Sequence, residues 1–84
     1  GGKPEKVVLK ATENQQNFLR SLPLHHSQQE IETGEDYAIF EYFIVPTYDF
    51  EQELLSRANT IEVLEPKWLR EEMKNRIKMM LDKY

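Results

Sequence analysis

Residues 37–45, Tyr37-Ala38-Ile39-Phe40-Glu41-Tyr42-Phe43-Ile44-Val45, form an apolar run interrupted by a single charge. Aromatic and β-branched side chains dominate it, and these suit a pleated backbone. Apolar residues occupy both parities, as in a strand with neighbours on both sides. Successive side chains of a strand point to opposite faces, so the one carboxylate assigns them. Glu41 belongs outside the core, which sends Tyr37, Ile39 and Phe43 outward with it. Ala38, Phe40, Tyr42 and Ile44 then point inward. Pro46 ends the strand because it has no N–H to donate.

Upstream, Thr33-Gly34-Glu35-Asp36 reads as a turn. It joins this strand to a polar edge strand over 24–32, with Leu24, His26 and Ile31 as inward points. Residues 6–11 are mostly apolar with two valines, and read as a first strand. Thr12 and Gln15 have the spacing of a capping box. The helix they open sets Phe18, Leu19 and Leu22 on one side and stops at Pro23. Downstream, Asp49 and Gln52 repeat the capping spacing ahead of Phe50, Leu54 and Ala58. Asn59 suits a left-handed C-cap, Thr60 to Leu64 a short strand, and Pro66 the first turn of a last helix. That helix carries Leu69, Met73, Ile77, Met80 and Tyr84 in one stripe, widened by Leu81. Glu72 stands four residues before Arg76 as a favourable pair.

The order β-α-β-β-α-β plus a final helix specifies an α+β fold. Its first six elements match the ferredoxin-like arrangement: a four-stranded antiparallel sheet with both helices on one face. One sheet face stays bare and partly aromatic, and needs a cover. Eighty-four residues make one domain. Gly1-Gly2 reads as an expression scar, leaving 3–84 as the domain. There is no cysteine and no apolar run near the roughly 18 residues of a membrane span. No export signal is visible either, so a cytoplasmic protein without a membrane partner is expected.

The net charge of −4 is unevenly spread. Residues 1–29 hold four bases and two acids, residues 30–65 ten acids and one base, and residues 67–84 six bases and three acids. A duplex reader presents a basic stripe, and only the last helix offers one, with acids interleaved. No phosphate-binding glycine loop, nucleophile elbow or His-Glu-x-x-His occurs, so no catalytic residue, cofactor or metal ligand is assigned. His25-His26 would point to opposite faces of a strand, and no third ligand accompanies them. Residues 35–42 echo the RNP1 pattern of RNA-recognition domains, which makes a single-strand nucleic-acid binder the runner-up. The acids Glu35 and Asp36 stand where that pattern needs a base and a glycine, and Ile39 replaces a stacking ring.

Ile61-Glu62-Val63-Leu64-Glu65-Pro66-Lys67-Trp68-Leu69-Arg70-Glu71-Glu72-Met73 resembles the signature that closes WYL-domain transcription regulators of bacteria. It lies there in a C-terminal extension called the WCX domain. Leu24-His25-His26-Ser27-Gln28 is similar to that extension's Leu-His-x-Ser-Gln strand, and Glu53-Leu54-Leu55 to the helix before the signature. The final methionines and tyrosine agree too. Many relatives have a glycine where this chain has Ala58-Asn59. Neither a Trp-Tyr-Leu motif nor a helix-turn-helix occurs in these residues, so the family's DNA-contacting and ligand-binding arginines are not carried over.

The resemblance implies a non-catalytic regulatory module that supports dimerisation and effector response. Its partners would be a second copy and the regulator's N-terminal domains. DNA would be met only through the helix-turn-helix, and a nucleotide or nucleic acid would be the effector. A small-ligand-binding regulatory domain is a third reading. The residues expected at the partner interface are Tyr37, Ile39 and Phe43 on the bare face, with Trp68, Leu69, Met73, Ile77 and Met80 on the last helix.

Overall fold

Residues 2–84 are described by a computed structural model. The chain runs β1 (Glu5–Thr12), α1 (Gln15–Ser21), β2 (Gln29–Thr33), β3 (Tyr37–Ile44), α2 (Tyr48–Leu55), β4 (Ile61–Glu65) and α3 (Lys67–Leu81). A 3-10 turn over Ala58–Thr60 precedes β4. The sheet order is β2-β3-β1-β4, all neighbours antiparallel, as the ferredoxin-like arrangement requires. The two central strands, β3 and β1, are also the two with the most buried residues.

Register fixes the faces. Val7, Leu9 and Ala11 of β1 stand opposite Tyr42, Phe40 and Ala38 of β3, and all six are buried. Leu19 of α1, Phe50 and Leu54 of α2, Val63 of β4 and Leu69 and Met73 of α3 complete one core on that side. The assignment made from Glu41 holds: Phe43 is 62% exposed, and Tyr37, Ile39 and Glu41 are half-buried on the opposite face.

Several local expectations are corrected. Thr12 is not a cap; β1 runs through it, paired with Tyr37, and Glu13 then turns the chain at φ 58°. The N-cap is Asn14, and of the stripe foreseen on α1 only Leu19 is buried, while Phe18 and Leu22 are exposed. Thr47 caps α2, its hydroxyl accepting from the Phe50 N–H at 3.2 Å, because the chain leaves Pro46 extended two residues before Asp49. Ala58 is exposed rather than stacked under Leu54, and it, not Asn59, takes the left-handed conformation, at φ 53°. Pro66 sits at the N-cap of α3, one place before the first turn.

The expected edge strand 24–32 shrinks to Gln29–Thr33, whose residues are all exposed, Ile31 included. Residues 24–28 form a pinned loop instead. Gln28 Oε1 accepts from the Tyr42 hydroxyl at 2.6 Å and from the Leu24 N–H at 3.1 Å, while Gln28 Nε2 donates to the Leu19 carbonyl at 2.8 Å. The Ser27 hydroxyl oxygen accepts from the Phe43 N–H at 2.9 Å. The Ser27 hydroxyl thus takes a place that a longer β2 would have filled on the β3 ladder, and Gln28 ties the loop to the core beneath.

Candidate functional site

The residues expected at one interface lie on two separate surfaces. The first is the bare sheet face. Lys6, Val8 and Lys10 of β1 alternate with Val7, Leu9 and Ala11 and share this face with Tyr37, Ile39, Glu41 and Phe43, Val8 being buried even here. Its aromatic residue at the hairpin end is already engaged. Lys10 Nζ stands 5.0 Å over the Tyr37 ring, and the Tyr37 hydroxyl donates to Glu32 Oε2. That carboxylate holds the Tyr37 hydroxyl above its ordinary pKa. A base arriving to stack on Tyr37 would have to displace the lysine and meet Glu32 and Glu41.

The second surface is α3, which does not cover the bare face. It joins the helix layer beside α2, running back along β4. Leu69 and Met73 are buried against Leu54 and Val63, so these two expected contact residues belong to the domain's own core. Arg70 Nη1 donates to Glu62 Oε2 at 2.8 Å and to the Val63 carbonyl at 2.7 Å, tying the helix to β4. Trp68, in the same first turn, ties the helix to β1, its indole N–H donating to Glu5 Oε1 at 2.9 Å. Arg76 bonds Glu51 of α2 at 2.8 Å rather than Glu72. Burial, with Glu72 nearby, pushes the Glu51 carboxyl above its usual pKa, and Arg76 opposes that.

The stripe outgrows its support. Fifteen helical residues span about 22 Å, against about 16 Å for the five of β4. Past Ile77, which still lines a groove with Ile61 and Val63, the apolar residues have no sheet beneath them. Ile77 and Met80 are each 53% exposed, and Met79, Leu81 and Tyr84 are exposed beside them. Arg76, Lys78 and Lys83 flank this end.

No other cluster gathers chemistry. His25 and His26 lie in the pinned loop, not in a strand, with ring centroids 4.1 Å apart, and His25 Nδ1 is 2.7 Å from the Ser27 hydroxyl. Among the described residues no group of three His, Cys, Asp or Glu could hold a metal ion. No helix described is long and apolar enough to cross a membrane. Five of the ten acids of residues 30–65 form ion pairs: Glu30, Glu51, Glu53, Glu62 and Glu65 pair with Arg20, Arg76, Arg57, Arg70 and Lys6. The Glu30 carboxyl is held at a pKa of about 2 by the Arg20 guanidinium and the Thr33 hydroxyl.

Two groups went unread in the sequence. The Ser27 and Gln28 side chains act across the chain, at separations no local pattern reveals. Arg70 and Lys74 join the expected Met73 and Ile77 at the spacing i, i+3, i+4, i+7, the signal for a single helix face, and the four line a groove against α2 and β4.

Compared with known protein families, residues 3–81 match the model of the WCX domain. No curated protein matches the chain.

Proposed function

The chain belongs to the WCX domain family, and from that premise we propose that it is a non-catalytic regulatory module of a WYL-type bacterial transcription regulator, acting in the cytoplasm through self-association. The observation that carries this reading is the distal half of α3. A helix whose first half completes the domain core and whose second half leaves Ile77, Met79, Met80 and Leu81 in water is half of an interface. Methionines adapt to a partner that changes shape. The acidic β2–β3 hairpin of a second copy complements the bases beside the stripe, which steers encounter. In the full regulator the same surface would also meet the neighbouring domains, and DNA would be contacted elsewhere.

Sedimentation velocity tests this across a concentration series. The wild type is expected to associate with rising concentration, and Met80→Glu to remain monomeric with an unchanged thermal midpoint, since Met80 lies outside the core. A wild type that stays monomeric throughout, in the fragment and in the full regulator, would refute self-association through α3.

A further inference from the structure

We propose that the groove enclosed by α2, β4 and α3 is a binding site for a small amphiphilic carboxylate, one with an aliphatic chain of about eight carbons. The groove has a volume of about 250 Å³. Its walls are apolar: Leu54 and Leu55 of α2, Ile61 and Val63 of β4, and Met73 and Ile77 of α3. An apolar cavity of ~150 Å³ takes up benzene, so this one holds on the order of ten heavy atoms. Octanoate has that size.

Charge selects the head group. Three ionisable side chains line the groove: Glu62, Arg70 and Lys74. Glu62 and Arg70 neutralise each other at 2.8 Å. Lys74 has no ion-pair partner among the described residues. The lining therefore carries one uncompensated positive charge next to apolar walls. A carboxylate with an apolar tail satisfies both, and a cationic amphiphile of the same length does not. Ala58 of the 3-10 turn also lines the groove and adds no charge to it.

This inference does not rest on self-association. Ile77 contributes to both surfaces, so Lys74, which is exposed and outside the distal stripe, is the position to change. The experiment is a titration of octanoate into the protein, followed by methyl chemical shifts. Saturable shifts are expected at Leu54, Leu55, Ile61, Val63 and Ile77, with a Kd on the order of 0.1–1 mM. Octylammonium is expected to bind at least about fivefold more weakly. Lys74→Glu should lose octanoate affinity to the same extent while its circular dichroism stays unchanged, and Lys74→Gln should fall between. Absence of saturation, equal binding of octylammonium, an affinity indifferent to Lys74, or shifts centred on Ile39 and Phe43 would each overturn the proposal.

Discussion

Gln28 does more for this fold than its polar character suggests. Its amide links the Leu19 carbonyl at the end of α1, the Leu24 N–H and the Tyr42 hydroxyl in the core. Burial pushes the Tyr42 hydroxyl well above its ordinary pKa, so it remains a donor at any physiological pH and always needs an acceptor. Gln28→Ala deletes that acceptor and leaves a buried hydroxyl unpaired, which should cost about 2–3 kcal/mol in urea unfolding. Tyr42→Phe removes the donor instead, while Gln28 keeps its other two bonds, so about 1 kcal/mol is expected. A Tyr42→Phe loss as large as that of Gln28→Ala would mean the linkage does not centre on the amide.

At the scale of elements, β3 divides stability between its two faces. Phe40→Ala should cost about 3–5 kcal/mol, as for any well-packed phenylalanine. Phe43→Ala, on the bare face, should cost less than about 1 kcal/mol. Equal losses in chemical denaturation would contradict the face assignment. That assignment was legible from the sequence because a strand's side-chain period is fixed and Glu41 marks one side. The strand order followed from the pattern as well. The capping residues did not: Thr12 and Asp49 have the right spacing, but whether a threonine caps a helix or pairs in a ladder depends on the strand beside it. The left-handed residue was misplaced by one, because Ala58 accepts a conformation costly for any side chain when the turn into β4 demands it. Of the expected interface, the exposed half of α3 was correctly seen as apolar. What the stripe could not tell was where burial would stop, since that depends on the length of β4.

Across the whole molecule, charge is sorted by region, and this argues against nucleic acid as a direct ligand of the sheet. Between Arg20 and Arg57 there is no lysine or arginine at all, and that span includes both strands of the β2–β3 hairpin. A single-stranded oligonucleotide titrated at about 0.15 M salt should bind with a Kd weaker than about 10 µM, and a sub-micromolar value would contradict this. The same hairpin has a second effect. β2 pairs only with β3, so its outer edge offers unused backbone groups, the usual template on which misplaced strands add and fibrils grow. Here its register breaks between Glu30 and Glu32, and Glu35 and Asp36 follow at the turn. A second hairpin sliding alongside would bring carboxylate against carboxylate and an interrupted ladder against an interrupted ladder. The β2 edge thus resists sideways polymerisation, a protection quite separate from the apolar surface exposed at the far end of α3.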